Sequence, residues 1–319
     1  MFLGKYQEAA NALNRAFRIQ PKYRSNPRYV EALAQCYSHL GQLESALEAY
    51  LAAEQLSPRN PEIALRVGQA LFRLERFAES EEPFRRAIAL NSSNTDAFYD
   101  LSLALYQLRR FDESLNILKS LTIRCPDRSD VHIAMAINHK EEGRVADAVT
   151  ELREALRVQP DNSEPYLQLA VLHAENSQWQ DSLAASQRLI ELRPTEEVGF
   201  LSMAGVYQEL KDHRKQIEAC NQALRINPNS FPALEGLAWA FCETARYDEA
   251  VVALNRAIKI NPDAPHTHAW LAQAYAELGN LQGAVQEQHV LEKLDPQLAV
   301  DVRKTIQEKT RVDDVPSSL

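Results

Sequence analysis

The chain has 319 residues, 45% of them hydrophobic and 25% charged, with nine glycines, fifteen prolines and four cysteines; this is the composition of a folded protein and excludes a disordered chain, a collagen and a disulfide scaffold. Its 35 lysines and arginines against 44 aspartates and glutamates leave a formal charge of −9, so the chain as a whole lacks the electrostatic footprint of a nucleic-acid binder. No run approaches the roughly 18 consecutive apolar residues of a membrane span, and MFLGKYQEAANA lacks the basic start and apolar core of a secretory leader, so no membrane insertion is expected.

Cys36, Cys125, Cys220 and Cys242 stand in no metal-ligand or CxxC spacing, which suits reduced thiols and predicts a cytoplasmic protein. Charge is uneven: residues 1–128 carry 17 basic and 15 acidic side chains, whereas 129–319 carry 18 and 29. In chain order, the first predicted element is a helix over 4–20 with Ala9, Leu13, Ala16 and Phe17 toward one side. Pro21 and Pro58 then lie 37 residues apart, three more than the spacing that governs the rest of the chain. Residues 1–26 therefore read as a partial repeat, its second helix only, followed by an inserted loop. Beginning in mid-repeat, this segment is expected to be an N-terminal cap or the remainder of a longer chain.

Pro126, Pro160, Pro194, Pro228, Pro262 and Pro296 recur every 34 residues, Pro58 lies two periods before Pro126, and Ser92 fills the skipped place. Eight complete units thus span 27–298. With each unit numbered 1 to 34 and the proline at 32, position 8 is small throughout, from Ala34 and Gly68 to Ala272. Position 20 is Ala or Ser in every unit but one, where Gln216 stands. Positions 4, 7, 8 and 11 are apolar at helical spacing, as are 17, 20, 24, 27, 28 and 30, with turn residues such as Gly41-Gln42 and Gly143-Arg144 at 15 and 16. Each unit is predicted to be a helix, a tight turn, an antiparallel second helix and a loop closed by proline, with Asn162 or Ser230 capping the helix that follows. Gln216 and His213 are expected to loosen the unit 197–230, and Pro83 inside a second helix is another irregularity. Beyond the last unit, 299–312 reads as a capping helix that lays Val302 and Ile306 on the last pair, and 313–319 as a disordered tail.

These columns (large at 4, Leu at 7, Gly or Ala at 8, Tyr at 11, Ala at 20, large at 24, Ala at 27, Pro at 32) resemble the tetratricopeptide repeat, and FPALEGLAWAFCETARYDEAVVALNRAIKINPDA, residues 231–264, is a close match. The resemblance implies an all-α fold, a right-handed superhelical solenoid of antiparallel helix pairs, whose concave groove is lined by positions 2, 5, 9, 12 and 13 of the first helices. A family defined by architecture implies no activity. Two ligand-binding patterns of the family do not fit: an asparagine ladder needs Asn at position 6, and a carboxylate clamp needs Asn with Lys on successive first helices, yet no unit has Asn at position 6 or 9.

Along the groove, position 5 supplies Leu65, Tyr99, Ile133, Leu167 and Leu201, position 9 supplies Leu103, Ile137 and Val171, and position 12 adds Phe72 and Tyr106. They predict an apolar trough across 65–201, or else a partly buried stripe beneath neighbouring helices. Position 13 is Glu141, Glu175, Glu209, Glu243 and Glu277 in five consecutive units, an acidic column that selects basic partner residues or serves as a solvated face. His139 and His173 at position 11 have no third ligand placed by the pattern, and no phosphate-binding loop, nucleophile elbow, HExxH or paired-cysteine zinc spacing occurs. No enzyme activity, metal or cofactor is expected. The expectation is a scaffold that binds a peptide or helix of a partner protein bearing apolar and basic residues, not nucleic acid. Two alternatives are the substrate-recruiting arm of a larger enzyme, such as a glycosyltransferase, whose catalytic domain is absent from this chain, and self-association through the open N-terminal end.

Overall fold

A computed structural model of the protein describes residues 2–313. Every regular element among them is helical. Two compact units divide the chain, Met1–Pro160 and Asp161–Leu319. The first holds α1 (Phe2–Ile19), a 3₁₀ turn (Pro21–Ser25), and the pairs α2 (Pro27–His39) with α3 (Leu43–Leu56), α4 (Pro61–Arg73) with α5 (Phe77–Leu90), α6 (Thr95–Gln107) with α7 (Phe111–Arg124), and α8 (Ser129–Glu141) with α9 (Val145–Val158). The second holds α10 (Ser163–Glu175) with α11 (Trp179–Leu192), α12 (Val198–Glu209) with α13 (His213–Ile226), α14 (Phe231–Glu243) with α15 (Tyr247–Ile260), α16 (Pro265–Glu277) with α17 (Leu281–Leu294), and then α18 (Pro296–Asp313). The tail expected over 313–319 lies, from 314 on, outside the described residues.

The small columns are where helices meet. Position 8 is buried in every unit, and so is position 20, including Ser80, Ser114 and Ser182. A hydroxyl at position 20 needs a partner once buried. Ser114 Oγ donates to the Ser102 carbonyl at 2.8 Å and Ser182 Oγ to the Ala170 carbonyl at 2.7 Å, so the polar residue bonds the facing position 8 of its own pair. Gly68 is required by its neighbour: a Cβ there would lie 2.6 Å from the ring of Phe84, the largest fully buried side chain at position 24.

Each pair turns through one backbone device. The residue at position 15 has positive φ in all eight units: Gly41, Glu75, Arg109, Gly143, Ser177, Lys211, Ala245 and Gly279, between 54° and 74°. The next N–H then reaches the carbonyl three places before the helix cap, as in Gln42 to Tyr37 (2.9 Å), Arg144 to His139 (2.8 Å) and Arg246 to Phe241 (2.8 Å). This is the Schellman closure, which satisfies the last carbonyls of the first helix. At the opposite end, Asn60 Oδ1 accepts from the Glu62 amide, Asn162 Oδ1 from the Glu164 amide and Ser230 Oγ from the Ala233 amide, capping α4, α10 and α14.

One expectation needs correction. The buried side of α1 is Ala10 and Phe17 with half-buried Tyr6 and Leu13, not Ala9, because a 3.6-residue period aligns 6, 10, 13 and 17. Gln216 is fully buried; its Nε2 donates to the Gly236 carbonyl at 3.0 Å, while its Oε1 has no hydrogen-bond partner among the described residues. Pro83 stands inside α5, as its place in the repeat predicts, with its ring buried. In the second unit α18 lays Ala299, Val302 and Ile306 into a cluster with Ala272, Ala284 and Leu291 of the preceding pair.

Candidate functional site

The side chains a partner would meet are those of the first helices that the second helices do not cover. In the Met1–Pro160 unit, Tyr99, Leu103 and Tyr106 on α6 and Ile137 on α8 are half-buried. Leu65 and Ile133 are not part of this surface; they are 4% and 9% exposed. Position 5 flanks the inward stripe 4, 7, 8 and 11, so its burial depends on the side chains that neighbouring helices lay over it. Leu65 joins a core cluster with Phe84, Leu101 and Leu105. In the Asp161–Leu319 unit, Leu167 and Leu201 are half-buried and Val171 is 37% exposed. Leu65 and Ile133 apart, the predicted apolar set keeps some exposure within each unit.

The position-13 glutamates also differ. Glu141 accepts a hydrogen bond from the Tyr106 phenol, whose acidity is weakened first by burial and then by that carboxylate. Glu175, Glu209 and Glu243 are exposed and Glu277 half-buried. Glu209 and Glu243 have no ion pair among the described residues, and their unit holds 14 basic against 23 acidic side chains over 161–319. Beside them on α14, Trp239 is half-buried with His213 of α13 at 5.4 Å between ring centroids.

Sequence reasoning missed a polar cavity of about 490 Å³ between α2 and α4, lined by Gln35, Ser38, His39, Tyr50, Arg66, Gln69 and Arg73. Gln35, Ser38, His39, Gln69 and Arg73 stand in groove columns 9, 12 and 13, whereas Arg66 is at position 6 and Tyr50 at position 24 of a second helix, and column 13 was legible as a pattern only where it repeats Glu. Arg66 is held by Glu62 (2.7 Å) and by Gln69 Oε1 (2.9 Å). Arg73 donates to the Ser38 hydroxyl (2.7 Å) and has no carboxylate partner among the described residues. Burial raises the Tyr50 phenol above its ordinary range, Arg66 and Arg73 acting against that. On the other side of α4 lies a second cavity of about 220 Å³, lined by Phe72, Phe84, Leu103 and Asp100 and sharing Gln69 and Arg73 with the first. Gln69 Nε2 donates to Asp100 Oδ2 at 2.7 Å, and burial holds the Asp100 carboxyl above the usual carboxylate range.

Four histidines are buried or paired within the helix pairs. His139 is buried, and burial followed by Arg144 lowers its basicity. His173 Nδ1 faces Gln178 Oε1. His132 meets Glu151 at 2.7 Å and His268 meets Glu287 at 2.6 Å, the same position-4 to position-23 pairing in two units. Among the described residues no three His, Cys, Asp or Glu side chains gather as a metal site, and no helix is long and apolar enough to cross a membrane.

Family models described as tetratricopeptide repeat match residues 1–61, 65–129, 133–197 and 200–230, and one described as TPR repeat matches 239–279. No curated protein matches the chain. Among solved structures it is similar to PilF of Pseudomonas aeruginosa, with 17% identity, a TM-score of 0.55, and 66% of this chain and 96% of that one covered. It is also similar to the Cut9–Hcn1 hetero-tetramer of the APC/C (16%, TM-score 0.53, 86% and 55% covered) and to yeast Tom70 (13%, TM-score 0.50, 99% and 94% covered). At these identities the likeness is one of fold.

Proposed function

The chain belongs to the tetratricopeptide repeat family, a family of protein-interaction scaffolds, and from that premise we propose that it is a non-catalytic scaffold that holds a peptide or helix of a partner protein against its first helices. One observation carries the reading: in each unit, half-buried apolar side chains and charged side chains stand together on these helices at positions that packing within the pairs does not use. Tyr99, Leu103, Tyr106 and Ile137 supply apolar contact in the first unit, and Leu167, Val171 and Leu201 in the second. Glu209 and Glu243, with Glu175 and Glu277, select basic partner residues there.

Charged and apolar contacts separate by their response to salt. With the chain as bait at low and moderate salt, changing the glutamates at 175, 209, 243 and 277 to Gln should abolish the salt-dependent part of capture. Changing Tyr99, Leu103 and Ile137 to Ala should remove the salt-independent part. Identical capture by both variants and the natural chain at both salt concentrations would overturn this division.

A further inference from the structure

The smaller cavity lies between successive first helices of the Met1–Pro160 unit, with Gln69, Phe72 and Arg73 of α4 and Asp100 and Leu103 of α6 in its lining. Asp100 is the one acidic residue in the position-6 column of the eight units. A hydrogen-bonded chain holds its carboxylate: Glu62 pairs with Arg66 (2.7 Å), Arg66 Nη1 donates to Gln69 Oε1 (2.9 Å), and Gln69 Nε2 donates to Asp100 Oδ2 (2.7 Å). Because a guanidinium can only donate, Arg66 fixes the Gln69 amide with its nitrogen toward Asp100. The second carboxylate oxygen, Oδ1, has no hydrogen-bond partner among the described residues and is not sealed from solvent. Burial holds this carboxyl above its usual range against the pull of Gln69, Arg128 and Arg66, so a further donor at Oδ1 stabilises the anion.

The rest of the lining selects the kind of donor. Phe72 and Leu103 are half-buried and line the cavity together with the fully buried Phe84. Arg73 also lines it while donating to the Ser38 hydroxyl (2.7 Å), so the cavity carries one positive and one negative side chain and no net charge. An ammonium or guanidinium group entering it approaches Arg73, and a purely apolar side chain strips water from Asp100 Oδ1 without replacing it. A flat apolar body with an N–H or O–H on its edge meets both demands.

We propose that this cavity is the docking site for one aromatic side chain bearing a hydrogen-bond donor, tyrosine or tryptophan, in a peptide segment of another protein. The ring packs against Phe72 and Leu103, and its O–H or N–H donates to Asp100 Oδ1. This rests on the scaffold reading and adds to it a partner residue that is neither basic nor simply apolar.

The test is a selection from a random dodecapeptide library displayed on phage, run on the full chain and on three variants: Asp100→Leu, Asp100→Asn, and Glu209→Gln with Glu243→Gln. Asp100→Leu removes the acceptor. Asp100→Asn keeps an oxygen for Gln69 and offers the cavity an NH₂ instead, and it serves if the leucine disturbs the fold; circular dichroism melting checks both. The expected result is a consensus containing Tyr or Trp, kept by the glutamate variant. Deleting the donor from the selected peptide, with phenylalanine for tyrosine or benzothienylalanine for tryptophan, should cost about tenfold or more in affinity for the natural chain and less than about twofold for Asp100→Leu. Asp100→Asn should weaken the unaltered peptide by about fivefold or more, because a charge-assisted bond is lost. A Tyr or Trp consensus whose donor is worth the same with and without the Asp100 carboxylate overturns the placement. A consensus with neither residue overturns this inference and leaves the scaffold reading standing. No consensus on any bait overturns both.

Discussion

At Ala245 the backbone adopts φ 54°, a left-handed conformation in which a Cβ crowds the following carbonyl. Glu75, Arg109, Ser177 and Lys211 accept the same strain, while Gly41, Gly143 and Gly279 avoid it. Ala245→Gly is therefore expected to stabilise the protein by about 0.5–1 kcal/mol, the relief of strain being partly offset by a more flexible unfolded chain. Gly143→Ala should cost about 1 kcal/mol, and since nothing lies within 4 Å of the added methyl, the loss is purely a backbone effect. Urea midpoints of the two variants should move in opposite directions. Cys220 carries a second residue-scale expectation: burial pushes its thiol up to about 12 and that of Cys242 up to about 11. The unfolded thiols ionise near pH 9 while the folded ones stay protonated, so the folded state binds more protons between those values and stability falls as pH rises from about 9 to 12. Cys220→Ala should flatten that alkaline decline in a urea-midpoint series; an unchanged slope would assign the decline to other groups.

At the scale of the helix pair, Gly68 is the tightest point. Alanine there places a methyl 2.6 Å from the Phe84 ring, which is fully buried and backed by Leu101 and Leu105. Gly68→Ala should cost about 1–3 kcal/mol from overpacking, and pairing it with Phe84→Leu should recover most of the loss, which a double-mutant cycle measures. The pair was the most legible part of the sequence. Small residues at 8 and 20 and a turn at 15 are demanded by close packing itself, so they repeat wherever the packing repeats. The contact surface was less legible. Leu65 and Leu167 occupy the same column, yet one lies in the core and the other is half-buried, because the covering side chains come from a neighbouring helix and differ between repeats. The polar cavity beside α4 escaped for a related reason. Gln35, Tyr50 and Arg73 are each unremarkable in their columns and become a set only when three helices bring them together. Gln216, the exception in its column, is buried all the same: its Nε2 bonds the Gly236 carbonyl of the next helix and its Oε1 is left without a partner among the described residues.

For the whole molecule, stability is assembled from contacts between successive elements, such as α2 with α3, α3 with α4 and α4 with α5. A repeat array of this kind approximates a one-dimensional chain of coupled segments. Damage should therefore stay near its source. In Gly68→Ala, amide hydrogen exchange is expected to accelerate in Pro61–Leu90 and in the adjoining pairs Pro27–Leu56 and Thr95–Arg124, with Phe231–Leu294 keeping its protection. Uniform acceleration throughout the chain would instead mean that it opens as one cooperative body.

The last helix has a consequence that resembles polymer chemistry more than folding. The face that α18 covers with Ala299, Val302 and Ile306 belongs to the α16–α17 pair and includes Ala272 and Ala284, members of the same position-8 and position-20 columns on which every earlier pair is built. A stack made from one reusable face has no intrinsic length, and each added pair regenerates the surface on which the next can grow. On that surface α18 seats Ala299, Val302 and Ile306 and leaves Arg303, Lys304 and Glu308 exposed, so the side it presents in turn is charged where the face it covers is built of small residues.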